Sequence, residues 1–181
     1  MRRSAATKLR AVFRSAMHER IPAFEHEPAT HASLDLYVCD LSAVRFYVLL
    51  QLHEMRDAFT IEIGWSEQRR APARIAFLML PSDEPVNGEQ CFRLRRLSRG
   101  EHDDEWWELV PPPSGWPFSE ENLVDLEARL EGGELEERAR HIAVEAVAEI
   151  VEYAVPYFRR IAADHEISPP LAWPLQARSD Y

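Results

Sequence analysis

Residues 46–66, FYVLLQLHEMRDAFTIEIGWS, constrain the fold more than any other stretch of the chain. Two runs of apolar, β-branched and aromatic residues flank a short polar segment at 53–57. In the second run Phe59, Ile61, Ile63 and Trp65 alternate with Thr60, Glu62 and Gly64. That period of two belongs to a strand with one buried face. The connection is too short for a crossover helix, so the runs are predicted to pair as an antiparallel hairpin.

The flanking sequence extends this into a sheet. Further strands are predicted at 34–39, 74–80, 91–97 and 105–110, beside those at 46–52 and 59–65. Pro72 and Pro81 bracket the strand at 74–80, and the turn-rich loop 81–90 follows it. Residues 22–34 are polar and read as irregular. Before them, Leu9, Val12, Phe13, Ala16, Met17 and Ile21 fall at helical spacing, with Ser4 as N-cap and Pro22 as terminator. After the Pro-rich segment 111–117, Ser119 caps a short helix that Gly132 and Gly133 stop. A long helix is predicted over 134–165. Pro156 interrupts its pattern, which predicts a kink or break at 152–156. The expected architecture is α+β: an antiparallel sheet of five or six strands, with the N-terminal helix and C-terminal helices on one face. One domain spans 1–165, with the helix at 4–21, the sheet at 34–110 and helices at 119–165. The segment 166–181, with three prolines, reads as an extended tail.

At 181 residues the chain is long enough to bury a core without disulfides or metals. No apolar run approaches the roughly 18 residues that cross a bilayer. Cys39 and Cys91 form no CxxC pair and read as small buried residues of a reducing compartment, with a single bridge between them left open. A cytoplasmic location is expected. Twenty of the 21 basic residues are arginine, which reflects genome composition more readily than a selected surface.

The net charge of −10 is unevenly spread. Residues 1–20 hold six basic residues, Arg3, Arg10 and Arg14 among them, against Glu19 alone; the rest of the chain carries −15. Three readings fit this basic helix. It could bind nucleic acid or an anionic membrane surface, it could be a presequence, or it could pack beside the acidic segment 119–152. That segment holds eleven acids against three arginines, so the last reading is preferred.

Several chemistries lack their motifs. Six glycines, of which only Gly132 and Gly133 are adjacent, leave no phosphate-binding loop. The seven histidines form no HExxH, HxH or Cys/His ligand set, and no metal or cofactor is implied. His102-Asp103-Asp104 reads as a solvated acidic turn, and His26 and His31 as residues of an irregular segment. No GxSxG elbow is present, and Gly64 in a strand reads as a bulge or a close backbone approach. The tryptophans are more suggestive. Trp65 leads into Arg69 and Arg70, Trp106 and Trp107 must face opposite sides of a strand, and Trp116 and Trp173 lie in Pro-rich segments. Tryptophan beside arginine makes binding hot spots, so Trp65, Arg69, Arg70, Trp107 and Trp116 are the candidate binding residues. The plainer reading of at least two of the tryptophans is that they plug the sheet against its helices.

The Phe-Thr-x-x-x-Gly strand formed by Phe59, Thr60 and Gly64, behind an N-terminal helix, resembles uncharacterised bacterial domains of unknown function. The resemblance covers residues 5–110, and the long acidic helical end departs from the shorter members. Such domains include immunity- and defence-associated proteins. The resemblance implies no catalytic residues.

The sequence therefore points first to a non-enzymatic, acidic interaction protein, of immunity or defence type, with a basic protein partner. One alternative is an enzyme whose anionic substrate sits near Arg69 and Arg70, with His102 as acid or base. Another is a nucleic-acid-binding adaptor working through Arg3, Arg10 and Arg14.

Overall fold

A computed structural model describes residues 3–28, 31–53, 57–70, 79–99, 106–109 and 133–174. Helix α1 (Arg3–Arg20) opens the chain. It is followed by β1 (Glu25–Glu27), β2 (Leu34–Asp40), β3 (Arg45–Leu52), β4 (Ala58–Ser66) and β5 (Glu89–Arg93). A short helix α2 (Leu94–Arg99) and strand β6 (Trp107–Glu108) come next. Helix α3 (Glu134–Glu149), a π-helical turn (Ile150–Ala154) and helix α4 (Val155–Asp164) complete the order.

The strands form one antiparallel sheet in the order β1-β2-β3-β4-β5, and β6 also pairs with β4. The expected hairpin is there, running from Leu52 opposite Phe59 to Arg45 opposite Ser66. β5 and β6 divide the outer edge of β4. β5 takes Glu62–Ser66, and β6 takes Ala58 and Phe59. The α+β architecture with helices on one face is thus the observed one.

The core lies between sheet and helices. Phe59, Ile61, Ile63 and Trp65 of β4 meet Phe46, Val48 and Leu50 of β3 on that face, all nearly or fully buried. α1 contributes Leu9, Phe13 and Met17, and α3 contributes Leu135, Ala139, Ile142 and Ala146. α1 packs directly against α3, as the charge asymmetry suggested. Alternation in β4 implied only one buried face, and here the structure differs. Leu36, Val38, Tyr47, Leu49 and Cys91 form a second buried cluster on the opposite face. β2 and β3 read as nearly continuous apolar runs, which is the pattern of strands buried on both sides. Thr60 on that face is also fully buried. Gly64 is required there, because a Cβ would stand 2.1 Å from the Gln90 carbonyl oxygen and 2.5 Å from the Tyr47 hydroxyl. Both cysteines are free and buried, one on each face.

Several elements differ from expectation. Ser4 lies within α1 rather than capping it. The segment 22–34 contains β1, whose Glu-His-Glu sequence shows no strand pattern because an edge strand needs only backbone pairing with β2. The strand expected at 91–97 ends at Arg93, and the chain turns into α2 so that Leu94 is buried. Among the described residues of the strand expected at 105–110, Trp107 and Glu108 pair with β4, and Leu109 N–H donates to the Asp57 carbonyl at 2.7 Å. Most of the strand at 74–80 and the helix at 119–130 lie outside the described residues, as does the 102–105 turn. Met79 is not in a strand, although its N–H donates to the Cys91 carbonyl at 2.8 Å.

The interruption before Pro156 takes the form of the π turn. Val155 N–H donates to the Ile150 carbonyl, five residues back. Proline removes one donor and crowds the preceding turn, and a widened turn accommodates both defects. The tail also departs from expectation. Trp173 is fully buried among Phe24, Phe46 and Phe158, with ring centroids 5.4–6.2 Å from its own. Arg159 holds that segment by donating to the Trp173 and Pro174 carbonyls at 2.7 and 3.2 Å. The core therefore reaches beyond residue 165.

Candidate interaction groove

The amphipathic pattern of α3 puts Leu135, Ala139, Ile142 and Ala146 inward, which forces its glutamates outward. Glu134, Glu136, Glu137 and Glu145 are exposed along it, with Arg138, Arg140 and His141 between. A groove of about 850 Å³ runs between this face and the β6–α2 edge of the sheet. Glu134, Glu137 and Glu145 line one side, and Glu108 and Arg95 line the other. Trp107 and Ile142 contribute its apolar surface. Four carboxylates thus converge on an apolar floor beside two guanidiniums, those of Arg95 and Arg138.

Local pairs order this face. Arg140 donates to Glu137 at 3.0 Å, and His141 Nε2 lies 3.2 Å from the Glu145 carboxylate one turn on. Arg95 stacks on Trp107, 4.1 Å from the ring centroid, while donating to the Trp106 carbonyl at 2.8 Å. A second groove of about 550 Å³ lies on the other flank of α3, against α1, and shares Glu137 and His141. Val144, 45% exposed, lines it together with Ala11, Val12 and Ala16 of α1. Chemically, the arrangement can hold guanidinium or ammonium groups over carboxylates while burying an apolar stem.

The residues expected to bind are scattered. Trp65 is 3% exposed, and its indole N–H donates to the Tyr157 hydroxyl at 2.9 Å. Tyr157 donates in turn to Gln90 Oε1 at 2.6 Å. Gln90 Nε2 donates to the carbonyls of Leu80 and Asp83, at 3.2 and 2.9 Å. Trp65 is therefore a packing residue, because its one polar atom is already used inside the core. Trp107 is also buried, stacked on Phe59 at 5.3 Å, and reaches the groove only as part of its floor. Trp106 is half-buried on the other side, as the alternation required. Trp116 lies outside the described residues.

Arg69 and Arg70 do not form a clamp. Arg69 adopts a left-handed backbone, φ 54°, and reaches Asp40 at 3.5 Å. Arg70 turns the other way, to Gln68 at 2.8 Å and Glu89 at 3.4 Å. On the basic helix, Arg10 and Arg14 face β2 rather than α3. Arg10 Nε lies 2.5 Å from Asp35 Oδ2, and Arg14 Nη2 lies 3.5 Å from Asp35 Oδ1. Nothing is described for the Arg3 side chain.

Sequence reasoning missed the partners of these arginines, Asp35 and His26. Asp35 is only 7% exposed, and a lone aspartate in an apolar strand (Leu-Asp-Leu-Tyr-Val) was the available signal. Buried carboxylates require a partner, so it had to meet a cation. His165, near the end of the helical layer, was equally unmarked. Its Nε2 lies 2.9 Å from Glu67, and its Nδ1 contacts the Ile161 carbonyl at 2.8 Å.

No known family, curated protein or solved structure matches the chain. Among the described residues, no group of three or more His, Cys, Asp or Glu side chains could hold a metal ion. No described helix is long and apolar enough to cross a membrane.

Proposed function

We propose that this chain is a non-enzymatic interaction protein whose acidic α3 face receives a basic protein partner. The observation that carries this reading is the convergence of Glu108, Glu134, Glu137 and Glu145 on the apolar floor made by Trp107 and Ile142. Complementary charge would speed encounter, and the floor would supply the desolvated centre that a lasting contact needs. The resemblance to immunity- and defence-associated domains agrees with a cationic partner of that type, such as a nucleic-acid-cleaving toxin. Two free, buried cysteines agree with a reducing, cytoplasmic setting.

The two alternatives receive less support. An anionic-substrate site at Arg69 and Arg70 would need those side chains to converge, and each is engaged elsewhere. A nucleic-acid role for α1 would need Arg10 and Arg14 outward, and both contact Asp35.

The test compares affinity capture by the native chain and by an E134Q/E137Q/E145Q variant, at low and high salt. A stoichiometric basic protein that is held at low salt, released by salt and lost from the variant is the expected result. Capture of the same companion by the variant, or salt-independent capture, would overturn the reading.

A further inference from the structure

The second groove, about 550 Å³ between α1 and α3, has an α1 wall made by Lys8, Ala11, Val12, Ser15, Ala16 and Glu19. Lys8, Ala11, Ser15 and Glu19 are exposed, and Val12 is half-buried. Small and apolar groups thus occupy the centre of the wall, with a cation at one end and an anion at the other. Val144 continues the apolar centre onto α3.

The charges on the α3 wall already have partners. Arg140 donates to Glu137 at 3.0 Å, and His141 lies 3.2 Å from the Glu145 carboxylate. Lys8 and Glu19, by contrast, meet no opposite charge among the described residues. Eleven positions apart on one helix, they stand about 17 Å from each other along its axis, too far to pair.

Their placement is symmetric. Positions 8 and 19, 11 and 16, and 12 and 15 all share one midpoint, between Phe13 and Arg14. A second α1 laid antiparallel across that midpoint sets Lys8 against Glu19 of the partner subunit at both ends. Ala11 then faces Ala16, and Val12 faces Ser15. No bulky side chain stands in the centre, so the two helix axes can approach to about 8 Å, the closest common packing distance. A parallel second copy would instead set Lys8 on Lys8 and Glu19 on Glu19.

We propose that this chain forms a two-fold homodimer through the α1–α3 groove, α1 packing antiparallel on α1 of a second copy with reciprocal Lys8–Glu19 pairs closing both ends. One surface serves as both halves of such a contact. Exposed ion pairs add little affinity, so the apolar centre holds the two copies together and the charges set their direction. The inference does not rest on the acidic groove, whose Glu108, Glu134 and Glu145 lie outside this lining.

Sedimentation velocity of the full chain, from low micromolar to several hundred micromolar, tests the proposal. The native chain should pass from monomer to dimer as concentration rises. Ala11→Glu, at an exposed position, should keep it monomeric by placing carboxylates in the centre of the contact. Lys8→Glu and Glu19→Lys should each weaken the dimer about tenfold, because each sets like charges together at both ends. Mixing those two variants should restore association, since a dimer of one with the other pairs opposite charges again. Circular dichroism of each variant establishes that it is folded. If Ala11→Glu does not fold, the charge variants and their mixture decide the matter. A native chain that stays monomeric throughout would leave the groove to a different protein and overturn the proposal. Undiminished dimerisation of folded Ala11→Glu, or a mixture that associates no better than its components, would do the same.

Discussion

The Trp65 indole and the Tyr157 hydroxyl, 92 positions apart in sequence, are joined by a 2.9 Å hydrogen bond inside the core. It ties the end of the central strand β4 to helix α4, and Tyr157 passes the connection on to Gln90 of β5 at 2.6 Å. One phenol thus holds three elements in register. Burial raises its pKa well above the usual phenol range, so it is a neutral donor throughout the accessible pH range.

Replacing Tyr157 by Phe keeps the ring but leaves a buried indole N–H and a buried amide oxygen without their partner. The expected loss is about 2 kcal/mol, from the usual cost of about 1–3 kcal/mol for orphaning a buried polar group. Urea denaturation followed by tryptophan fluorescence checks this.

Gly64→Ala should be comparably disruptive for a steric reason. The added methyl would meet the Gln90 backbone at 2.1 Å, so β4 and β5 would have to separate. Overpacking of this kind costs about 1–3 kcal/mol, and backbone on one side of the clash places the effect at the upper end. Thermal unfolding gives the shift.

Trp173→Ala opens a hole among Phe24, Phe46 and Phe158 and should cost about 3–5 kcal/mol, as for other large aromatic truncations. A Trp173→Phe variant should recover a large part of that loss. Equal stability of the Ala variant and the native chain would mean that the segment 166–174 does not belong to the core.

Burial pushes the Cys39 thiol up to about 11 and the Cys91 thiol up to about 12. Neither forms appreciable thiolate near neutrality, and both are sterically shielded. Ellman's reagent should therefore label neither in the native chain and both in urea. Rapid labelling of either in the native state would contradict this placement.

The pKa of His165 is raised. Burial opposes the charge, but the Ile161 carbonyl and the Glu67 carboxylate outweigh it. A raised folded-state pKa means that the protonated ring contributes stability fully below the ordinary histidine value near 6.5. That contribution is lost as pH rises through the folded-state value. Glu67→Gln should lower the His165 pKa in an NMR titration and shrink the fall in stability as pH rises above the ordinary histidine value near 6.5.

The sequence showed the fold wherever local pattern and tertiary demand agreed. The 59–65 alternation, the α1 stripe and the disturbance before Pro156 were all legible because each follows from its own residues. α2 was not. Cys-Phe-Arg-Leu reads as alternation, and only the choice of Leu94 to enter the core turned the chain. β1 escaped because its pairing is backbone pairing at an edge. The site was less legible still. Trp65 and Arg70 looked like neighbours with a shared task, yet one serves the core and the other Glu89. The Asp35 cluster joins α1, β1 and β2 through charge, and no spacing rule reports a meeting of that kind. The acidic character of α3 was plain, but that its glutamates share a groove with Trp107 depends on where β6 docks.

The π turn at Ile150–Ala154 sets the rotational phase between the two halves of the long helix. A single extra residue advances the helix by about 100°. α3 can therefore direct its stripe at α1 while α4 aims Tyr157 and Phe158 at the sheet. Deleting one residue from the turn would restore regular winding but swing those two aromatics out of alignment with Trp65, Gln90 and Phe46. The irregularity is thus a coupling joint: it lets one continuous rod present carboxylates to solvent at one end and an aromatic anchor to the core at the other.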